Sequence, residues 1–108
     1  MLLELFKGRG RTKDQCEFLK REYAMIHLIS TSQKPVISFL DGFVFGGGAG
    51  ISIHGQFRIA TENTVFAMPE TAIGFWPDVG ASFFLPRLDG GLGYYLGLTG
   101  TRLKGQDV

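Results

Sequence analysis

The chain has 108 residues, one small domain at most. Apolar residues make up 44% and charged ones 19%, too apolar a mixture for a disordered chain, and ten Phe call for a larger core than this length readily closes. A formal charge of +1 gives no pull toward nucleic acid, and no apolar run approaches the ~20 residues of a membrane span, so neither partner is expected.

The first residues, MLLELFKGRGR, place their apolar side chains before their charges, the reverse of a secretory signal. Lys7, Arg9, Arg11 and Lys13, spaced by Gly8 and Gly10, read as a solvated end, and residues 1–13 as an atypical lead to a domain that fills 14–108. Residues 13–32 carry Leu19, Tyr23, Ile26 and the neighbours Met25 and Ile29 at three- and four-residue steps, with Lys20, Arg21 and Glu22 between them. That spacing predicts an amphipathic helix with one buried face, and Asp14 suits its positive end. Cys16 is the only cysteine. It excludes an intrachain disulfide and is expected to pack as a small hydrophobe. Ser30, Thr31 and Ser32 end the helix, and Pro35 keeps Lys34 out of a further turn.

Residues 36–40 (VISFL) read as a buried strand stopped by Asp41-Gly42. Phe43, Val44 and Phe45 lead to three glycines, Gly46 to Gly48. The apolar spacing after them fits strand or helix; a short helix is favoured, because glycines at a strand end before a helix N-terminus form a backbone anion cradle. Residues 57–60 and 64–67 read as two short strands, with Glu62-Asn63 in the turn. Residues 79–88 predict a helix with Asp78 as its cap and Phe83, Phe84 and Leu88 facing inward. Residues 92–98 predict a loose helical unit bounded by glycines. The Phe side chains at 39, 43, 45, 57 and 66 read as core, Trp76 as wall or core, and His54 and Arg58 as structural hydrogen-bonding residues. His27 and His54 lack a metal-ligand spacing, so no metal is expected. The order of elements is an α/β pattern with too few strands to pair them all.

Two carboxylates, Glu70 and Asp78, each stand beside a proline within this apolar stretch. Acids in such surroundings are candidates for chemistry at a carbonyl. Three glycines could equally serve as a tight turn, and Asp78 as a cap alone.

The run KPVISFLDGFVFGGGAG, then FAMPETAIG, PDVGASFFLPRL and LTGTRLKG, resembles the crotonase (enoyl-CoA hydratase/isomerase) superfamily, and within it the 3-hydroxyisobutyryl-CoA hydrolase family. The resemblance covers roughly residues 14–108 and implies a partial crotonase-like fold of stacked ββα turns, incomplete at both ends. It implies hydrolysis of a 3-hydroxyacyl-CoA thioester in valine breakdown, in mitochondria or peroxisomes, with coenzyme A as part of the substrate and no separate cofactor. Gly47 corresponds to one backbone donor of the oxyanion hole and Glu70 to the catalytic acid, as nucleophile or general base. Asp78 corresponds to an acid that places the hydroxyacyl end, and Glu22 to a further acid lining the substrate site. Enoyl-CoA hydratases carry a second Glu where this chain has Gly50, which favours thioester hydrolysis over water addition. The family's other donor loop, resembling Ala-Gly-Gly-Asp, is not in this sequence. These 108 residues alone are therefore expected to be poor catalysts and prone to aggregate through exposed Phe. The alternatives are a hydratase or isomerase of the same superfamily, or a non-catalytic segment that binds acyl-CoA. Oligomeric state is not readable.

Overall fold

The computed structural model describes residues 12–108. The basic cluster at Lys7, Arg9 and Arg11 lies outside the described residues. Thr12 and Lys13 already belong to the first helix, α1 (Thr12–Ser30), with Asp14 in its first turn. The helix ends where the Ser30 and Thr31 hydroxyls both donate to the carbonyl of His27, at 2.9 and 2.8 Å. Such local bonds offer the backbone an alternative to another helical turn.

Five short strands follow in two sheets. β1 (Ile37–Leu40) pairs in parallel with β3 (Phe57–Ala60), Ile37 opposite Phe57. β2 (Phe43–Phe45) pairs in parallel with β4 (Val65–Ala67), Phe45 opposite Ala67, and β5 (Leu103–Lys104) adds to β4 in antiparallel. Parallel partners need a crossover, and α2 (Gly47–Ile53) supplies it. Consecutive strands thus alternate between the sheets: β1, β2 and α2 make one ββα turn, and β3 with β4 begin the next beside it.

The corner of each turn is tied to the other. The Asp41 carboxylate accepts from the Thr61 hydroxyl at 2.6 Å and the Asn63 amide at 3.0 Å, and these bonds hold its pKa below the usual aspartate value. The buried Thr64 hydroxyl donates to the carbonyl of Leu40 at 2.5 Å. Leu40, Val44, Phe66, Met68, Phe84 and Leu96 form the centre of the core between the layers. Beyond β4 run a 3₁₀ turn (Pro69–Ile73), α3 (Ala81–Phe84) and α4 (Leu92–Thr99).

The helices at 47–53 and 92–99 and the strands β1, β3 and β4 lie where the sequence pattern puts them. Several side chains do not. Cys16 is exposed, because the buried stripe of α1 is narrow: Ile26 is buried, Leu19 half-buried, and Tyr23 and Met25 exposed. Of the five Phe read as core, only Phe66 is buried, while Phe39 and Phe43 are 75% and 76% exposed and Phe57 is exposed too. Trp76 is also exposed, stacked on Phe75 at 4.1 Å. For Phe39 and Phe57 the cause is that a β1–β3 pair and a few helical turns cannot cover both faces of a parallel ladder.

The expected helix at 79–88 is shorter, and Asp78 is not its cap. Gly80, in a left-handed conformation, holds the N-cap position with no side-chain bond. A 3₁₀ turn at Leu85–Arg87 follows, so the register tightens at Pro86 and leaves Phe83 and Leu88 exposed, with Phe84 inward. The Arg87 guanidinium lies over the Phe83 ring at 3.7 Å and covers part of it.

Candidate active site

Because β2 and β4 are parallel and in register at Phe45 and Ala67, both strands leave the sheet at the same end. Gly46 is one residue beyond that end on one strand, and Glu70 is three beyond it on the other. Ala67 and Met68 are wholly buried, and Pro69 cannot extend the ladder and opens the 3₁₀ turn. The turn closes on Gly74 in a left-handed conformation, and the Phe75 N–H donates to the Glu70 carbonyl at 3.1 Å. This fixes Glu70 inside, only 7% exposed.

Gly46 has φ 45° and ψ −112°, a backbone that a side chain would strain. A Cβ placed there would stand 2.6 Å from Glu70 Oε1. On Gly47 a Cβ would stand 2.6 Å from Glu22 Oε1. Each glycine is therefore met by one carboxylate, from the 3₁₀ turn and from α1 respectively. Gly47 opens α2, so its N–H has no acceptor within the helix.

The Oε2 atoms of Glu22 and Glu70 are buried and have no hydrogen-bond partner among the described residues. Burial pushes both carboxyls above the usual glutamate value, and the negative charge of Asp78 adds to both; in Glu70 a bond to its own backbone N–H opposes the rise. Asp78 takes a hydrogen bond from the Tyr23 hydroxyl at 2.8 Å. Burial, that bond and the charges of Asp78 and Glu22 push the Tyr23 phenol up, so it stays a donor.

All four residues singled out in the sequence, Glu22, Gly47, Glu70 and Asp78, thus belong to one locus. Tyr23 was read there only as part of a buried helix face; its position next to Glu22 was the available signal. His54 and Arg58 do have structural bonds: His54 Nε2 to the Val79 carbonyl at 2.9 Å, and Arg58 to the carbonyls of Ile53 and Gly55 at 2.8 and 2.6 Å.

Gly50, where hydratases carry their second Glu, is buried. A Cβ there would stand 2.6 Å from Val79 Cβ and 2.9 Å from Ile26 Cδ1, so the position holds no room for an acid. Size of hollow is not the guide here: clefts of about 480 Å³, one between Tyr23, His54 and Phe83 and one between His54, Arg58 and Phe84, and an apolar cleft of about 340 Å³ lined by Leu40, Phe66, Phe84 and Leu96, include none of the four residues. Among the described residues no group of three His, Cys, Asp or Glu is arranged to hold a metal, and no helix is long and apolar enough to cross a membrane.

Residues 3–108 match the family model described as enoyl-CoA hydratase/isomerase. The rat mitochondrial 3-hydroxyisobutyryl-CoA hydrolase is 55% identical over 102 residues, 94% of this chain and 26% of its own. The small ribosomal subunit protein mS47 of Neurospora crassa is 59% identical over 102 residues, 94% of this chain and 20% of its own. Among solved structures, an enoyl-CoA hydratase from Rhodobacter sphaeroides superposes with a TM-score of 0.80 at 43% identity, over 84% of this chain and 27% of that one. The chain spans about a quarter of the length of the curated relatives it matches.

Proposed function

The chain belongs to the enoyl-CoA hydratase/isomerase family, and from that premise we propose that it carries the acid centre of a 3-hydroxyacyl-CoA thioester hydrolase, with 3-hydroxyisobutyryl-CoA as the best candidate substrate. One observation carries this reading: Glu70 is buried with a free Oε2, its Oε1 against Gly46, next to the Gly47 N–H that has no acceptor within its helix. A buried acid without a partner costs stability, and a fold retains it where chemistry uses it. Identity alone does not choose, since a hydrolase at 55% and a ribosomal subunit protein at 59% match the chain over the same share.

In this mechanism the thioester carbonyl oxygen takes the Gly47 N–H, and a second donor comes from a segment that these 108 residues do not include. Each such donor is worth about 3 kcal/mol when preorganised. As general base, Glu70 removes a proton from a water that adds to the acyl carbon; the C–S bond then breaks, and the thiolate is protonated as coenzyme A leaves. As nucleophile, a Glu70 oxygen adds to the same carbon and expels the thiolate, and water then opens the anhydride. A carboxyl raised above its usual value suits the base role near neutral pH. Asp78 accepts the substrate's 3-hydroxyl, which favours hydroxyacyl over plain acyl groups. Glu22, on the other glycine, lines the acyl end. No cofactor enters beyond the coenzyme A of the substrate.

The sealed Gly50 speaks against hydration of an enoyl-CoA. The relatives' names support the mitochondrion as the compartment and give the peroxisome none. The test is a parallel assay of thiol release from 3-hydroxyisobutyryl-CoA and of hydration of an enoyl-CoA, with the missing donor segment supplied. Thiol release without hydration is the expected result. Hydration, or neither activity, would defeat the reading.

A further inference from the structure

We propose that Tyr23 and His54 are positioning residues for Asp78, clamping the turn Asp78–Val79–Gly80 from α1 and from the end of α2. The role of Asp78 toward a substrate hydroxyl rests on the function proposed above; the clamp itself rests on geometry.

Val79 has φ 44°, the one non-glycine residue with positive φ among the described residues. For a β-branched side chain this is a true outlier, and such backbones persist only where their surroundings over-determine them. The surroundings here do so on every side. The Tyr23 hydroxyl donates to Asp78 Oδ2 at 2.8 Å, and His54 Nε2 bonds to the Val79 carbonyl at 2.9 Å. A carbonyl only accepts, so Nε2 carries the proton in this bond. The Val79 side chain is buried against Gly50 and Ile26, and Gly80 lies so close to the His54 ring that any Cβ would overlap it. The ring is itself held edge-on by Phe84 at 5.9 Å, with Phe83 at 6.4 Å.

One seven-residue helix thus fixes both halves of the site. α2 begins at Gly47, against Glu22, and its C-cap is His54, against the turn that carries Asp78. A residue that merely filled space between Phe83 and Phe84 would need no polar atom aimed at the strained carbonyl. His54 supplies one.

Carboxyl ¹³C NMR of the 108-residue chain, kept dispersed by Phe39→Lys and Phe57→Lys on the exposed sheet face, reads the clamp without any turnover, so it can fail while the hydrolase reading stands, and the reverse. Asp78 is identified as the signal lost in Asp78→Asn. His54→Leu keeps bulk between the two Phe but removes the N–H. It is expected to move the Asp78 signal and to speed amide exchange at Gly80 and Ala81 by about tenfold, as a local opening becomes easier. His54→Gln puts an amide N–H near the same point and is expected to restore both readouts. Tyr23→Phe, at an exposed position, is expected to move the Asp78 signal alone. An Asp78 signal unmoved in His54→Leu or in Tyr23→Phe overturns the proposal, as does a His54→Gln chain that behaves like His54→Leu. Where His54→Leu does not fold, Tyr23→Phe and His54→Gln decide it by the same criteria.

Discussion

Glu70 costs the fold something, and its carboxyl shows where. Its native pKa is raised above the ordinary 4.5, chiefly by burial, and so is that of Glu22. The native chain therefore keeps protons that the unfolded chain releases. The contribution of these two groups to stability is fully present below about pH 4.5 and is lost as pH rises through their native values. Glu70→Gln removes the ionisable group while keeping its shape. The variant should melt about 5 °C higher than the parent at pH 7, the effect of roughly 1 kcal/mol in a chain of this size, and should lose that advantage at pH 4. Thermal melts at the two pH values check this; an equal shift at both would mean that charge is not the cause. Glu70 and Asp78 were legible as candidates because acids stand out in an apolar stretch, whereas Glu22, on a charged helix face, was named only through the family resemblance. Tyr23 was not legible, since a tyrosine at helical spacing reads as core until a partner 55 residues away is seen.

α2 shows how an element reads both ways. Its helical state followed from glycines at a strand end, and the structure agrees. The strands β2 and β5, of three and two residues, were not assigned, because they are too short to show alternation and form only through partners distant in sequence. Likewise the cap expected of Asp78 failed because the turn after it is strained and hands the N-cap to Gly80. The tight seat of α2 gives a sharp expectation for Gly50. Gly50→Ala must push Val79 or Ile26 aside and should cost about 1–3 kcal/mol, read by chemical denaturation. Gly50→Glu should create no hydratase, because seating the acid displaces Val79 and with it Asp78. Measurable hydration by that variant would show that the pocket yields more than its packing implies.

The molecule as a whole leaves one sheet face bare. Ile37, Phe39, Phe57 and Ile59 lie on the same side of the β1–β3 ladder by register, and all are exposed. Contiguous apolar surface of this kind adheres to other copies. The purified chain should elute well above monomer size in gel filtration, and a double substitution, Phe39→Lys with Phe57→Lys, should shift it toward monomer. A parent that is monomeric at high concentration would contradict this. The stacked ββα path was foreseeable from the motifs, and so was some exposure of Phe; which Phe would be bare was not, because composition counts apolar residues without saying how many layers cover each.

The centre of the account is that Glu70, at the Gly46–Gly47 pair, does the hydrolytic chemistry. The direct measurement uses a chimera in which this chain replaces the matching quarter of the rat hydrolase, so that the second donor and the rest of the cleft are supplied. Thiol release from 3-hydroxyisobutyryl-CoA by the chimera, reduced by about 10²–10⁴-fold in Glu70→Gln with the fold intact, is the predicted result. A folded chimera that releases no thiol, or one whose rate survives Glu70→Gln, would contradict it.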